Sequence, residues 1–175
     1  MSANQQQESI YRLPSTAPDI LDGSVSLTEF LPWALYCLDS EIPGSSLKNL
    51  AAELEQDFVI EVPSGEDIPL IRTAPADSLH QPTLWSALDV HIQYGNDNRT
   101  NLAYFPYGFL VAHDKDWAAQ GLWLVYVDFE DDNPLTAFRI GTKNVAGACE
   151  TLREGDDSAD QLEKIYGING RDASD

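Results

Sequence analysis

The chain has 175 residues, of which 43% are hydrophobic, and its 29 Asp and Glu against 10 Lys and Arg give a formal net charge of −19 at pH 7. A negative charge of this size repels nucleic acid and anionic lipid and favours a basic partner. The apolar content is enough to build the core of one domain, which excludes a disordered acidic tail.

The sequence predicts one folded unit between two polar ends. Residues 1–20 are polar and contain two prolines, so we expect a flexible N-terminal arm, followed by a single domain over residues 21–167 and a frayed tail over residues 168–175. The N-terminus lacks the basic and apolar regions of a secretion signal, and no run of residues is apolar enough to span a bilayer. Cys37 and Cys149 both fall in apolar runs, where we expect buried free thiols, and the chain is expected to be cytoplasmic.

The first half of the domain shows helical patterns separated by extended segments. Ser26 and Glu29 form a capping-box pattern before an apolar run, which predicts a helix that begins near Phe30, or at Pro32 as its first residue, and ends near Glu41. The patterns that follow predict a helix that begins at Ser45 or Ser46, extended segments at Phe58–Val62 and Ile68–Ile71, which could pair as a hairpin, and a helix that follows Pro82 and stops at Gly95.

The second half of the domain has the clearest strand patterns. Aromatic and β-branched residues predict strands at Leu102–Ala112, Gly121–Phe129 and Leu135–Ile140, joined as antiparallel neighbours. A helical face at Val145–Leu152 and a short helix capped by Ser158 follow. The predicted fold class is therefore α+β, a single domain with an antiparallel β meander and helices on its N-terminal and C-terminal sides.

Sequence motifs for catalysis are missing from the chain. It contains no Gly-x-Ser-x-Gly, His-Glu-x-x-His or Cys-x-x-Cys motif and no phosphate-binding loop, so no catalytic residue and no cofactor is predicted. One alternative stays open, because Asp89 lies near His91, and Asp114 and Asp116 follow His113. If the fold brought these groups together, they could form a metal-dependent active site.

An acidic run at residues 128–132 resembles the start of a calcium-binding loop. An EF-hand that begins at Asp128 would need glycine at its sixth position and glutamate at its twelfth, where this chain has Asn133 and Arg139. We therefore predict no metal site here. The run is either a solvated turn or a negative patch that steers a cationic partner.

Aromatic residues are dense between Tyr104 and Phe129, and their charged neighbours are mostly acids. That combination excludes base stacking with nucleic acid and indicates either an ordinary sheet core or a protein-binding surface with aromatic anchors and acidic steering. The predicted partner-binding residues are Asp114, Asp116, Trp117, Asp128, Glu130, Asp131, Asp132 and Tyr107.

The order of elements in the C-terminal half resembles the SUKH superfamily. An aromatic strand with Phe105-Pro106-Tyr107-Gly108 comes first, and a second strand, an acidic turn, a short strand and a helix follow, over roughly residues 100–153. Members of that group are small α+β proteins, many of them immunity proteins against bacterial toxins that include nucleases. The resemblance implies a binding protein without catalytic residues of its own.

These observations lead to one main hypothesis and two alternatives. The main hypothesis is an acidic cytoplasmic binding protein that neutralises a basic protein partner, most concretely an immunity protein that inhibits a cationic antibacterial toxin. The first alternative is an acidic adaptor, chaperone or structural subunit. The second is a metal-dependent enzyme that uses His91, His113 and nearby carboxylates. Neither nucleic acid nor a membrane is expected as a partner.

Overall fold

The elements of the fold come from a computed structural model, which describes residues 31–56, 69–128 and 135–168. The strands are β1 (Trp33–Cys37), β2 (Ile71–Thr73), β3 (Gly108–Ala112), β4 (Leu122–Val127), β5 (Leu135–Ile140) and β6 (Gly167–Ile168). The helices are α1 (Gly44–Leu54), α2 (Leu84–Asp97), α3 (Trp117–Gln120), α4 (Thr142–Glu154) and α5 (Ala159–Tyr166). The α+β class predicted from the sequence is confirmed.

The strands form one mixed sheet with the order β2-β1-β3-β4-β5-β6. The predicted antiparallel meander is confirmed for β3, β4 and β5. It is wrong for the sheet as a whole, because β1 runs parallel to both β2 and β3. Parallel neighbours need crossover connections, and here these connections contain α1 and α2.

Strand β1 occupies the segment for which the sequence predicted a helix. All five of its residues are buried, and it has a hydrogen-bonded neighbour on each side. A strand that is covered on both faces is a continuous apolar run, and such a run has no alternation to distinguish it from a buried helix. The prediction of a helix from Phe30 to Glu41 was therefore wrong over the part that is described, whereas the capping-box residues Ser26 and Glu29 lie outside the described residues.

The helices at α1 and α2 are confirmed, with shifted ends. Helix α1 buries Leu47, Leu50, Ala51 and Leu54, which recur at the three- and four-residue spacing of one helical face. Helix α2 begins with a capping box in which Thr83 and Ser86 exchange hydrogen bonds, and it continues past Gly95, which is buried within it. The predicted extended segment at Phe58–Val62 lies outside the described residues, and β2 lies slightly later than predicted.

The β3–β4 hairpin is confirmed, with shorter strands than predicted. Its connection contains the short helix α3, and Pro106 lies just before β3 rather than within it. Gly121 ends this helix at φ 72°, and a Cβ atom there would lie 2.3 Å from the carbonyl oxygen of Ile140. Glycine is therefore needed where α3 turns into β4. Along β4, Leu122 and Leu124 face one side and Val125 and Val127 the other, and all four are buried.

The C-terminal elements match the sequence patterns closely. Strand β5 has the predicted bounds, α4 ends at Gly155 in a left-handed conformation, and the Ser158 side chain caps α5 by accepting a hydrogen bond from the Gln161 N–H. Ile168, which was predicted to begin a frayed tail, instead pairs with Arg139 in the β5–β6 ladder. Both Cys37 and Cys149 are buried free thiols, as predicted.

Candidate protein-binding surface at the carboxyl edge of the sheet

The parallel arrangement of β1, β2 and β3 brings their carboxyl ends to the same edge of the sheet. The chain leaves β1 toward β2 on one side and later returns to β3 on the other side. In open sheets of this kind, the loops that diverge from such a point leave a crevice in which ligands bind. We therefore expect a binding site at the residues that follow β1 and β3.

Two carboxylates lie near Cys37 at this edge. The Cys37 thiol donates a hydrogen bond to the backbone carbonyl of Asp39, with a sulfur–oxygen distance of 3.4 Å. Burial raises the pKa of the Cys37 thiol, and the negative charges of Asp39 and Asp114 raise it further. Asp39 after β1 and Asp114 after β3 therefore both lie near the Cys37 thiol. A raised pKa keeps such a thiol protonated, which disfavours its reaction as a thiolate.

The loop from Asp114 to Gln120 is held by its own side chains. The Asp114 carboxylate accepts a hydrogen bond from the backbone N–H of Asp116 at 2.8 Å, and the Gln120 side-chain amide donates to the Asp116 carboxylate at 3.4 Å. The guanidinium of Arg139 in turn donates to Gln120 at 3.0 Å. These contacts fix the loop against β5, so the carboxylates of Asp114 and Asp116 are presented in a defined arrangement.

Trp117 begins the helix α3 and forms one wall of a groove. The groove has a volume of about 450 Å³, and its other apolar walls are Leu50 and Leu54 from α1 and Ala146 from α4. Glu53 and Lys143 lie at its polar sides. Trp117 is half-buried, so part of its ring is available to a partner. We call Asp39, Asp114, Asp116 and Trp117 the carboxyl-edge surface.

The structure separates two further predicted binding residues, Asp128 and Tyr107, from this surface. Because β4 is antiparallel to β3, Asp128 follows the end of β4 that pairs with Gly108, whereas Asp114 follows the opposite end of β3. At about 3.4 Å per residue, the two carboxylates are roughly 25 Å apart. Asp114 and Asp128, which were both predicted to bind the partner, therefore lie at opposite ends of the β3–β4 pair.

Tyr107 is buried at the far end of the sheet. Tyr107 is 6% exposed, and its backbone carbonyl accepts the Val127 N–H at 2.7 Å, so its ring is part of the core and is not an exposed anchor. Glu130, Asp131 and Asp132 lie outside the described residues. Of the eight predicted binding residues, Asp114, Asp116 and Trp117 are placed together.

The histidines do not form the shared site that the alternative hypothesis requires. His91 is 1% exposed; its Nδ1 is 2.8 Å from the Tyr36 hydroxyl, and its Nε2 is 2.9 Å from the Phe105 carbonyl oxygen. Both ring nitrogens are thus occupied within the core, and burial lowers the pKa of His91 to about 4. His80 bonds the Ile42 carbonyl at 2.7 Å, and His113 is exposed. Within residues 31–56, 69–128 and 135–168, no three His, Cys, Asp or Glu side chains are grouped to hold a metal.

Several residues of this edge were missed by the sequence analysis. Asp39 was assigned to the end of a helix, although reading the preceding run as a buried strand would have placed it in the loop at the carboxyl edge. Ile165 and Tyr166 are 62% and 39% exposed, and β6, which follows them directly, pairs with the end of β5 at this same edge. A helical wheel of α5 would have identified them, since only Ala159 and Leu162 are buried.

Comparison with known proteins supplies no relative for this chain. No family model, no curated protein and no solved structure matches it. A search of the described helices finds none with the length and apolar composition needed to cross a membrane.

Proposed function

We propose that this chain is an acidic, cytoplasmic binding protein that neutralises a basic protein partner, most concretely an immunity protein that inhibits a cationic antibacterial toxin such as a nuclease. The observation that carries the proposal is the carboxyl-edge surface, where a half-buried tryptophan on an apolar groove lies next in sequence to two fixed carboxylates. The resemblance to the SUKH superfamily in the order of the C-terminal elements supports the same conclusion.

The physical roles within the surface follow from the residue types. Trp117 is a large, rigid side chain beside a groove, which is the form that anchors of protein interfaces commonly take. Asp114 and Asp116 precede it on a braced loop, so they lose little entropy when they pair with Lys or Arg of a partner. A carboxylate at such a position can enter the phosphate-binding site of a nuclease in place of the substrate.

The net charge of −19 acts at longer range than these contacts. It accelerates the approach of a basic protein and slows the approach of acidic ones, and the acceleration falls as salt screens it. Affinity and association rate are therefore expected to depend on different residues. Trp117 controls mainly the dissociation rate, and the dispersed acids control mainly the association rate.

The proposal is tested with the protein encoded beside this one in its genome, because immunity proteins are encoded next to the toxins they inhibit. The two proteins are purified and their binding is measured by calorimetry and stopped-flow kinetics at several salt concentrations. We expect Trp117→Ala to weaken binding by about tenfold or more, and the double variant Asp114→Asn/Asp116→Asn to weaken it and flatten its salt dependence.

The control is Asp157→Asn, which removes one exposed carboxylate between α4 and α5 without touching the surface. It is expected to change affinity by about twofold at most. Equal losses in Asp157→Asn and in either carboxyl-edge variant would contradict the assignment of the surface. Recovery of several unrelated partners from the native host, and none of them basic, would contradict neutralisation of a toxin and support the adaptor alternative.

A further inference from the structure

The outer edge of β2 has a hydrogen-bonding pattern that can be read residue by residue. The Trp33 N–H donates to the Leu70 carbonyl at 2.7 Å, and the Ala74 N–H donates to the Leu35 carbonyl at 2.9 Å. Backbone groups along a strand alternate in direction, so the Leu70 carbonyl, both groups of Arg72 and the Ala74 N–H point toward β1. The backbone groups of the residues between them, Ile71 and Thr73, therefore point away from the sheet.

Side chains satisfy two of these four outward groups. The Glu55 carboxylate accepts the Leu70 N–H at 2.6 Å and the outward N–H of Ile71 at 3.1 Å. At the other end of the strand, the Tyr104 hydroxyl donates to the outward carbonyl of Thr73 at 2.7 Å. The Ile71 carbonyl and the Thr73 N–H remain, and no residue in the described part of the chain pairs with either of them.

The two remaining groups are complementary to one residue of an added strand. They lie on either side of Arg72, and in a parallel ladder a single partner residue donates its N–H to the first and accepts from the second. Glu55 and Tyr104 close the edge before and after this position. The edge can therefore accept one residue without breaking an existing hydrogen bond, and it has no place for a long strand.

A cavity of about 480 Å³ lies against this edge and carries positive charge. Its walls include Lys48, Ala51 and Ala52 from α1, and Arg72 from β2. The alanines leave room beside the strand, and both Lys48 and Arg72 are exposed. Burial raises the pKa of the Tyr104 hydroxyl and the charge of Arg72 opposes that rise, which places the guanidinium close to the Thr73 end of the edge. We call Lys48, Glu55, Arg72, Thr73 and Tyr104 the β2-edge pocket.

We propose that the β2-edge pocket binds the C-terminal residue of a peptide, whose N–H donates to the Ile71 carbonyl and whose carboxylate accepts the Thr73 N–H between Lys48 and Arg72. The free carboxylate matches the two cations, and a chain that ends there does not need to pass Tyr104. An internal residue would have to continue through the position of that side chain. Strand addition and the capture of terminal carboxylates are both established forms of peptide recognition.

The acidic character of the whole chain does not prevent such binding. At physiological ionic strength, charges that are separated by more than about 8 Å through solvent are largely screened, so the cations next to the carboxylate dominate. Among the described residues, Glu55 is the one acid that lines the pocket, and it already accepts two backbone hydrogen bonds.

The experiment uses the full chain and an array of random heptapeptides attached through their N-termini, in one copy with free C-terminal carboxylates and in a matched copy with C-terminal amides. The best carboxylate peptide is then measured by fluorescence polarisation and by the amide NMR shift of Thr73. We expect the free carboxylate to bind about tenfold more tightly than the amide and to shift the Thr73 signal. Arg72→Gln and Lys48→Gln should each weaken binding by about fivefold.

Lys164→Gln, which removes one exposed cation from α5, is the matched control and should bind like the unchanged chain. Equal binding of the amide and carboxylate peptides would overturn the proposal, as would an unmoved Thr73 signal or the absence of any binder. Trp117→Ala should leave peptide binding unchanged, so this result and the test of the carboxyl-edge surface are independent of each other.

Discussion

The carboxyl-edge surface and the β2-edge pocket are two parts of one sheet that offer opposite chemistry. The first presents side chains, namely carboxylates and a tryptophan on short loops that follow the strands. The second presents backbone groups of an edge strand between two of the chain's 10 Lys and Arg. Net charge therefore describes the long-range field of this protein, whereas local residue placement decides what each surface can bind.

Helix α1 connects the two regions. Lys48, Ala51, Ala52 and Glu55 lie along the β2-edge pocket, and Leu50, Glu53 and Leu54 lie along the groove of Trp117. The helix is held on the sheet by residues that belong to neither region, such as Leu47, which is fully buried. A substitution that disturbs the packing of α1 on the sheet should therefore weaken binding at both regions. A substitution at a residue of one region should weaken binding at that region alone.

The largest expected effect removes that common support. Leu47→Ala should lower the free energy of unfolding by about 2–5 kcal/mol, because it deletes a fully buried side chain and leaves a cavity under α1. Urea unfolding gives the loss of stability, and binding at both regions should weaken together. The control is the exposed neighbour Asn49→Ala, for which a change within about 0.5 kcal/mol is expected. Equal losses of unfolding free energy in Leu47→Ala and Asn49→Ala would contradict the role of Leu47 in holding α1 on the sheet.

A second effect of similar size depends on pH and acts through the core on the other side of β1. His91 has a pKa of about 4 in the folded protein, below its ordinary value of 6.5, because burial disfavours the charged ring. The unfolded chain therefore binds a proton more readily between these values. The contribution of the neutral His91 ring to the free energy of unfolding is fully present above about pH 6.5. As the pH falls toward 4, about 3 kcal/mol of this free energy is lost.

This pH dependence is measured as the free energy of unfolding from pH 7 to pH 4.5, in the unchanged chain and in His91→Gln. The variant cannot titrate at this position, so its stability should fall less steeply over the range, although it starts lower because it disturbs the bonds to Tyr36 and Phe105. Parallel curves for the two proteins would show that His91 does not control the acid sensitivity. Both binding regions should weaken with the core, because they share the same sheet.

The two regions also differ in how far the sequence alone could predict them. Asp114, Asp116 and Trp117 were identified because residue type and order along the chain are enough to single out carboxylates beside an aromatic residue. Asp128 was predicted as a binding residue with them, but the direction of β4 puts it at the other end of the hairpin, which the order of residues alone does not reveal. The helices from Leu47 to Leu54 and from Val145 to Leu152 were predictable, since their spacing defines a single buried face.

The β2-edge pocket could not be predicted in the same way. Its binding groups are a carbonyl and an N–H that every non-proline residue has, and they become distinctive only because β2 is an edge strand. That position depends on β1 being a strand, which its uniform burial concealed in the sequence. An error over five residues therefore hid the parallel half of the sheet and the free edge of β2 on which the proposed pocket depends.

The smallest of the expected effects separates the two regions most cleanly. Glu55→Ala removes the acceptor of the Leu70 and Ile71 N–H groups, which belong to buried residues, and should cost about 1–3 kcal/mol. Glu55→Gln keeps an oxygen acceptor and should cost less than half as much. Hydrogen exchange at Leu70 and Ile71 should accelerate in the alanine variant, with exchange at Leu124 in β4 following only the global loss of stability.

The same pair of variants decides whether the β2 edge is an independent unit of recognition. If Glu55 closes one end of the edge as the hydrogen bonds indicate, Glu55→Ala should weaken peptide binding at Thr73. It should leave the affinity of the carboxyl-edge surface for its partner protein unchanged. If hydrogen exchange in β2 and β4 accelerated equally, and by more than the loss of global stability explains, the two strands would unfold together as one cooperative unit. In that case a substitution in one region would also change the stability of the other. The two regions would then differ in how they bind, through side chains or through backbone groups, but their stabilities would be coupled.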